Sequence, residues 1–266
     1  MSSCNRGLMQ AYKLARVEQE NATSYSLWLD GELPNASPGQ YVMVWLPCVG
    51  ERPFSLHSAS PLALTISCVG PSSKAICALP PGGTLWLRGP FGKGYVLEGK
   101  NHMLVGGGYG AAPLTYLAEE ALNRGDEVRV CLGAASAKDL MFVEKLREIG
   151  ADVYVATDDG SQGTQGLVTA VVLEQILHHK PDSLYACGPT GMLMALWDLC
   201  EQHNIVAQLS FEGIIRCGIG LCGSCELNES LCAKLGLPAG WLVCHDGPVA
   251  KLMPSQAKAN TMTREG

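Results

Sequence analysis

The stretch HMLVGGGYGAAPLTYLAEEALNRG, residues 102–125, decides the fold class. It opens with an apolar run typical of a buried β-strand and then passes through a glycine-rich turn. The apolar face of the segment that follows consists of Leu114, Leu117, Ala118, Ala121 and Leu122. Pro113 suits the first turn of a helix, and Gly125 suits its end. The stretch therefore predicts a strand, a tight turn and an amphipathic helix.

The same alternation continues towards the carboxyl terminus. The predicted strands are EVRVCLG (127–133), DVYVAT (152–157) and SLYACG (183–188). The predicted helices are KDLMFVEKLREIG (138–150), LVTAVVLEQILHH (167–179) and PTGMLMALWDLCEQ (189–202). Strands that alternate with helices in this way predict a parallel, doubly wound α/β sheet that is covered on both faces. We assign this domain to residues 99–206.

The chain before this domain has a different pattern. Short runs rich in Val, Leu, Tyr, Trp and Thr are separated by Pro and Gly turns. These runs are YKLARV (12–17), SYSLWLD (24–30), QYVMVWL (40–46), LALTISC (62–68) and TLWLRG (84–89). Several short strands at such spacing predict a small antiparallel β-barrel, which we assign to residues 1–98.

The composition narrows the function classes. A chain of 266 residues is long enough for two or three compact domains. Its apolar fraction of 47%, charged fraction of 17% and net charge of -6 describe an ordinary globular protein that is not basic enough to favour nucleic acid. The sequence contains no run of about 18 apolar residues and no signal-peptide core, so we expect a cytoplasmic protein without a membrane segment.

The twelve cysteines fall into two groups. Seven are scattered through predicted strands, helices or tails, where we expect small buried thiols rather than a disulfide scaffold. They are Cys4, Cys48, Cys68, Cys77, Cys131, Cys187 and Cys200. The other five lie close together in a glycine-rich segment with little periodicity, which we assign to a third module, residues 207–266.

The clustered cysteines have the spacing of an iron-sulfur site. Cys217, Cys222 and Cys225 form a C-x4-C-x2-C run, and Cys244 follows. This is the ligand spacing of plant-type ferredoxins, so these four are the predicted ligands of a 2Fe-2S cluster. A four-cysteine zinc site is the competing interpretation, but it usually has two C-x2-C pairs where this chain has one. Cys232 lies away from the glycine-rich loop and is expected to be a bystander.

Two loops are candidates for binding a nicotinamide dinucleotide. The first contains Gly106, Gly107, Gly108 and Gly110 between a strand and a helix, where a phosphate can approach the backbone. Glycine turns of this kind also occur in proteins that bind no nucleotide. The second contains Cys187, Gly188 and Pro189 at the carboxyl end of a predicted strand, where open parallel sheets bind ligands. Asp158 and Asp159 follow another strand and are either ribose ligands or part of a solvated loop.

A cluster that passes single electrons needs a two-electron carrier if it exchanges electrons with NADH, and that carrier is typically a flavin. Arg52, Pro53, Phe54 and Ser55 are a candidate site, because a guanidinium can grip a pyrophosphate and a hydroxyl can bind the flavin ring. Taken alone, they could also be a surface arginine beside a turn. Ser72 and Ser73 precede a short helical stretch, and this segment either binds a phosphate or only caps the helix.

These segments occur in an order that resembles the ferredoxin-reductase-like flavoproteins. More narrowly, the chain resembles the electron-transfer subunits of NAD-dependent, heteromeric dihydroorotate dehydrogenases. The matching segments lie between about residue 50 and residue 250 and are RPFS, VGPSSKA, RGPFGKGY, GGGYGAAPL, ATDDGSQGTQG, YACGPTGM, CGIGLCGSC and VCHDGPV. The cluster segment and its trailing DGPV are the specific part of this resemblance.

The resemblance implies a set of cofactors and a partner. It implies FAD in the barrel, NAD(H) on the parallel-sheet domain and a 2Fe-2S cluster in the third module. It adds Thr65, Ile66 and Ser67 to the flavin site. It also implies a separate FMN subunit that oxidises dihydroorotate to orotate in pyrimidine biosynthesis, in a heterotetramer of two plus two chains. This chain would then hold no dihydroorotate site, and no side chain is a candidate general acid or base.

Two other functions fit the same features. One is the small subunit of a different NAD(P)H-linked reductase of this architecture, such as a transhydrogenase or a sulfide dehydrogenase. Those relatives often have aspartate in place of the first cluster cysteine, so Cys217 favours the dihydroorotate function. The other is a redox sensor that binds the same cofactors and a partner but does not turn over.

Overall fold

The computed structural model describes residues 7–255. These residues form two compact units. The first combines residues 7–95 with residues 212–249, and the second combines residues 96–211 with residues 250–255. The cysteine-rich segment therefore belongs to the same unit as the amino-terminal strands. Its assignment to a third module that carries its own cofactor stays a prediction.

The first unit is built on a closed barrel of six antiparallel strands, as predicted. The strands are β1 (Gln10–Gln19), β2 (Ser24–Leu29), β3 (Tyr41–Leu46), β4 (Gly50–Ala59), β5 (Leu62–Ser67) and β6 (Thr84–Phe91). Their order around the barrel is β1-β2-β5-β4-β3-β6. A short helix, α1 (Pro71–Cys77), lies between β5 and β6 in the chain. Every second side chain of a barrel strand points into the interior. Leucines from four of the strands, Leu14, Leu27, Leu56 and Leu64, are almost completely buried.

The second unit is the predicted α/β domain. Its elements are β7 (Asn101–Gly107), α2 (Ala112–Asn123), β8 (Glu127–Ala134), α3 (Val143–Glu148), β9 (Asp152–Thr157), β10 (Thr164–Gln165), α4 (Val168–His178), β11 (Ser183–Cys187), α5 (Thr190–His203) and β12 (Val206–Ser210). The cysteine-rich segment adds a short helix, α6 (Glu229–Leu235), and the chain then forms β13 (Val249–Leu252).

The sheet of the second unit runs in the order β10-β9-β8-β7-β11-β12-β13. The strands from β7 to β12 that pair with one another are parallel. Every residue of β7 and of β11 is buried, which shows that both faces of the sheet are covered. The chain builds outwards from β7 to β10 and then returns to place β11 on the other side of β7. The sheet therefore has its switch point between β7 and β11, where open α/β sheets bind their ligands.

One helix is shorter than the sequence suggested. The predicted helix 138–150 begins only at Val143, because Phe142 has a positive φ of 64° and Leu140 is extended. A short 3-10 turn over Ala137–Asp139 replaces its first part. An apolar period identifies the buried face of a segment, but it does not reveal a left-handed residue that interrupts the helix.

The scattered cysteines follow the prediction only in part. Cys131, Cys187 and Cys200 are buried free thiols, as expected. Cys48 is exposed, because it lies in the tight connection between β3 and β4 with a φ of 64°. Two further cysteines were wrongly expected to be free: Cys68 at the end of β5 is joined by a disulfide to Cys77 at the end of α1. Cys4 lies outside the described residues.

In the part of the chain that the structure describes, no helix is both long and apolar enough to cross a lipid bilayer.

Candidate functional site

The predicted cluster ligands lie on one glycine-rich loop and on one nearby turn of the first unit. We call residues 217–225 the cysteine loop. Its backbone amides point at sulfur atoms: the amides of Ile219 and Leu221 lie 3.5 and 3.4 Å from Sγ of Cys217. The amide of Gly220 lies 3.2 Å from Sγ of Cys244. Positive φ angles at Gly218, Gly220 and Gly223 let the loop turn in this way.

The sulfur of Cys222 lies 3.0 Å from the Ser224 hydroxyl, and the sulfur of Cys225 accepts from the amide of Cys244 at 3.4 Å. Burial raises the pKa of Cys217, but hydrogen bonds from the amides of Ile219, Cys222 and Leu221 together outweigh it and lower the pKa to about 6. Burial beside the Cys225 sulfur raises the pKa of Cys244 to about 12. Within residues 7–255, no group of three or more His, Cys, Asp or Glu side chains has the geometry of a metal site. The chemistry of the donor set, four cysteines with amides directed at their sulfurs, agrees with the predicted iron-sulfur ligands, since such amides stabilise these clusters. The cluster itself stays a prediction.

Side chains of the barrel hold this loop in place. The single hydroxyl proton of Tyr41 on β3 is shared between two carbonyl oxygens, that of Cys244 at 3.0 Å and that of Gly218 at 3.2 Å. Arg88 on β6 donates from Nη2 to the carbonyl oxygen of Cys217 at 2.9 Å. Two further bonds from Arg88, of 2.6 and 2.8 Å, reach both carboxylate oxygens of Glu51 on β4. Side chains of the barrel strands thus hold the backbone of the cysteine loop and the backbone at Cys244.

Cys232 is separate from this arrangement. It lies on α6, is buried, and its sulfur contacts the carbonyl oxygen of Leu227 at 3.6 Å. Cys244, in contrast, accepts a bond from the cysteine loop through Gly220. This placement supports Cys244 as the fourth ligand, which stays a prediction.

The two predicted dinucleotide loops contact each other at the switch point of the sheet. Gly106 on β7 lies beside Cys187 on β11 in the parallel register. A Cβ on Gly107 would come 2.9 Å from Cδ of Pro189 and 2.9 Å from the sulfur of Met192. Gly106 and Gly107 end β7, and Gly108 begins a 3-10 turn, Gly108–Ala111, that leads into α2. The backbones of both loops therefore form one continuous floor at the carboxyl ends of β7 and β11.

The acidic loop after β9 lies at the same edge of the sheet, since parallel strands end together. Asp158 and Asp159 are both exposed. Hydrogen bonds from the Ser161 hydroxyl and amide lower the pKa of Asp159, and the Ser161 hydroxyl also accepts from the amide of Ala137. The carboxylate of Asp159 thus stabilises the conformation of the loop in which it lies.

Arg52, Pro53, Phe54 and Ser55 lie within the first half of β4. The Arg52 side chain is exposed and donates to the carbonyl oxygen of Glu51 at 2.7 Å. Pro53, Phe54 and Ser55 are half-buried. Ser55 pairs with Tyr41 across β3 and β4, and directly opposite residues of a pair point to the same face. Ser55 of the candidate flavin segment and Tyr41, which anchors the cysteine loop, therefore share one face of one strand pair.

The other flavin candidates already have partners within the protein. The Thr65 hydroxyl bonds Nδ1 of His57 at 2.7 Å and the Ser26 hydroxyl at 2.8 Å. The Ser67 hydroxyl bonds that of Ser24 at 2.8 Å. The side chain of Ile66 is completely buried in the barrel, so only its backbone could reach a cofactor.

On α1, the Ser73 hydroxyl bonds the backbone of Gly70, whose amide donates to it at 3.0 Å. Ser72, its neighbour, is half-buried. The serines were wrongly expected to precede the helix: α1 begins at Pro71 with Gly70 as its N-cap, and Ser73 reaches back to Gly70 from the third helical position. A phosphate contact from these two serines stays a prediction.

Comparisons with known proteins decide the family. Residues 104–197 match the oxidoreductase NAD-binding domain. A protein of Methanopyrus kandleri named probable dihydroorotate dehydrogenase B (NAD(+)), electron transfer subunit, is 37% identical over 214 residues, which cover 80% of this chain and 78% of the relative. A protein of Thermococcus kodakarensis with the same name is 38% identical over 213 residues, which cover 80% and 84%. This chain belongs to the dihydroorotate dehydrogenase B electron transfer subunit family. The resemblance found in the sequence is thereby confirmed.

Solved structures share the fold of this electron transfer subunit family. The structure of an NADH-dependent reduced ferredoxin-NADP oxidoreductase superposes with a TM-score of 0.76 at 23% identity, over 95% of this chain and 93% of the other. The FAD/NAD-binding domain of a nitric oxide dioxygenase from Vibrio cholerae gives a TM-score of 0.65 at 20% identity, over 74% and 94%. Both show that the barrel and the parallel sheet are those of the ferredoxin-reductase-like fold.

The sequence did not reveal three residues that bear on the site of this family member. Tyr41, Arg88 and Glu51 lie far from the cysteines in the chain. Tyr41 and Arg88 lie in predicted strands and Glu51 lies outside them, and none of their segments indicates a contact with the cysteines. A polar residue within an otherwise apolar strand was the available signal, since such a residue needs a partner when the strand is covered. Which partner it finds depends on tertiary contacts.

Proposed function

We propose that this chain carries electrons between NAD(H) and a separate subunit that oxidises dihydroorotate to orotate. FAD in the first unit would exchange a hydride with NAD(H), and a 2Fe-2S cluster would pass the electrons on one at a time. The barrel would hold FAD, residues 99–206 would supply the NAD(H) domain, and residues 207–266 would supply the cluster ligands. We place the protein in pyrimidine biosynthesis, in agreement with the names of its relatives. We also propose the cytoplasm as its location.

One observation carries this proposal. The pairing of Tyr41 with Ser55 puts the anchor of the cysteine loop and a flavin candidate on the same face of the β3–β4 pair. A flavin held there and a cluster held by Cys217, Cys222, Cys225 and Cys244 would both be fixed to one rigid element. Electron carriers that exchange single electrons need such a fixed mutual position.

Each group of residues has a distinct task in this proposal. The exposed guanidinium of Arg52 would bind the pyrophosphate of FAD, and the hydroxyl of Ser55 would bind the ring. Gly106, Gly107, Gly108 and Gly110, together with Cys187, Gly188 and Pro189, would form the backbone floor for NAD(H). None of these side chains transfers a proton, since hydride and electron transfer require only that the carriers are bound and oriented.

The partner in this proposal is an FMN-containing catalytic subunit, in a complex of two plus two chains. The relatives are named as electron transfer subunits, which supports a second, catalytic subunit.

The test begins with anaerobic purification of the full chain without a tag. We expect one FAD, two irons and two acid-labile sulfides per chain, bleaching of the flavin by NADH, and an FMN protein that oxidises dihydroorotate in the same fraction. The variant Cys222→Ser should lose iron but keep FAD and its bleaching by NADH. A colourless protein, or one that contains zinc in place of iron, would refute the proposal. An associated protein with another substrate would assign the chain to a different NAD(P)H-linked reductase.

A further inference from the structure

The barrel residues that hold the cysteine loop include a fixed ion pair whose place in the electron-transfer reaction is not obvious from the sequence. Arg88 and Glu51 form a two-bond pair, with Nε to Oε1 at 2.6 Å and Nη2 to Oε2 at 2.8 Å. The Arg88 side chain is 15% exposed and that of Glu51 is 23% exposed. Planar pairs of this kind have a fixed geometry, and partial burial reduces their screening by salt.

Arg88 is held from three directions. Besides Glu51, its guanidinium lies 5.2 Å from the ring of Phe91, and its Nη2 donates to the carbonyl oxygen of Cys217 at 2.9 Å. The Phe91 ring in turn packs against Tyr41, whose hydroxyl bonds the carbonyls of Gly218 and Cys244. The positive charge therefore has one position, next to the backbone of a predicted cluster ligand.

We propose that Arg88 is a positioning residue that fixes Cys217 and raises the reduction potential of the cluster, and that Glu51 moderates this effect. This proposal rests on the proposed function, because it requires the cluster. One-electron reduction adds one negative charge to a group that already carries the charges of four thiolates. A nearby fixed cation stabilises the reduced form more than the oxidised form, and a nearby anion does the opposite.

The signs of the two effects separate an electrostatic role from a structural one. Arg88→Gln removes a positive charge and should lower the potential. Glu51→Gln removes a negative charge, can still accept a bond from Arg88, and should raise the potential. If the pair served only to brace the loop, both substitutions would loosen the same contact and shift the potential in the same direction.

The experiment is a redox titration of the holoprotein, followed by electron paramagnetic resonance of the reduced cluster. At the midpoint of the wild type, each substitution should change the ratio of reduced to oxidised cluster roughly threefold to tenfold, in opposite directions. For a one-electron couple, a tenfold change is about 59 mV. The matched controls are Arg16→Gln and Glu18→Gln, an exposed ion pair on the same barrel, which should leave the midpoint unchanged.

Three results would overturn the proposal. They are shifts of Arg88→Gln and Glu51→Gln in the same direction, no shift in either, and equal shifts in the Arg16 and Glu18 controls. If Arg88→Gln does not retain iron, Glu51→Gln decides alone, and a potential that does not rise overturns the proposal. A wild-type protein without iron and sulfide refutes the proposed function as well, whereas an intact cluster with unmoved potentials refutes only the role of Arg88.

Discussion

A Cβ atom on Gly110 would overlap the backbone carbonyl oxygen of Cys187. Gly110 follows β7 and Cys187 ends β11, so this contact joins the two loops at the switch point of the sheet. No rotamer change relieves an overlap with backbone, and the strand ends would have to separate.

Gly110→Ala should therefore disturb both the fold and the binding of NADH. We expect a loss of about 1–3 kcal/mol in the free energy of unfolding, as for other overpacked sites. The KM for NADH should rise, because the backbone floor moves. Urea unfolding and steady-state flavin reduction by NADH measure the two effects. Gly191→Ala is the matched steric control, since its added Cβ meets nothing within 4 Å, and its free energy of unfolding should not fall. Equal stability of Gly110→Ala and wild type would contradict the overlap.

Cys232 and Cys244 provide a second test, because both are buried and only Cys244 accepts a bond from the cysteine loop. Cys232→Ser should keep the iron content and the visible absorption of the cluster, at a cost of about 1 kcal/mol in stability from burying a hydroxyl. Cys244→Ser should lose the cluster. Iron and sulfide analysis of both variants gives the answer, and loss of iron from Cys232→Ser would show that the ligands were assigned incorrectly.

The disulfide between Cys68 and Cys77 predicts a stability that depends on reductant. It closes a loop with a sequence separation of 9, and closing a loop of this length stabilises a fold by about 2–3 kcal/mol in the chain-entropy model. The double variant Cys68→Ser, Cys77→Ser should be less stable by this amount and insensitive to reductant. Cys48→Ser, which removes an exposed thiol, is the control. A peptide map without reductant that shows both thiols free would be the contrary outcome.

Asp182 gives a prediction for acid pH. Its carboxylate accepts bonds from the amides of Lys100 at 2.8 Å and Asn101 at 3.0 Å, and these bonds lower its pKa below the usual 3.8. A lowered pKa in the folded state means that the stabilisation is complete above the unfolded-state pKa and disappears as the pH falls through the folded-state pKa.

Asp182→Asn should therefore be less stable than the wild type at neutral pH by about 1 kcal/mol, a value at the low end because the side chain is exposed. The difference should shrink as the pH drops below about 4. Urea unfolding between neutral and acid pH measures it. A difference that stays constant down to the lowest pH would mean that the bonds do not depend on the charge.

The sequence was sufficient to predict the strands and helices in which apolar residues recur at a clear period. The barrel strands β1, β2, β3, β5 and β6 were predicted. The alternation from β7 to α5 was predicted as well, apart from the short strand β10 and the first part of the helix expected at 138–150. β4 was not among the predicted runs: Arg52, Pro53 and Ser55 interrupt the apolar sequence that identifies a strand. Its place in the barrel comes from pairing with β3 and β5, which are tertiary contacts.

The candidate site was predictable where spacing in the chain determines proximity. Three of the predicted cluster ligands lie within nine residues of one another, so their proximity could be predicted from their spacing in the sequence. The contact between Gly110 and Cys187 follows from the adjacency of β7 and β11, which the sequence indicated only as two loops at strand ends. The anchoring by Tyr41 and Arg88 joins residues 129 to 203 positions apart, and no periodicity records such a pairing.

The opposition of Tyr41 and Ser55 constrains how this hairpin could be redesigned. Extra residues inserted at its tip, around Cys48, would lengthen the connection without altering which residues face each other. A slip of one residue along the strands would instead turn the phenol and the serine to opposite surfaces of the sheet. A transfer of this geometry to another protein should therefore move the whole segment 41–55, because the pairing of its two strands is then kept.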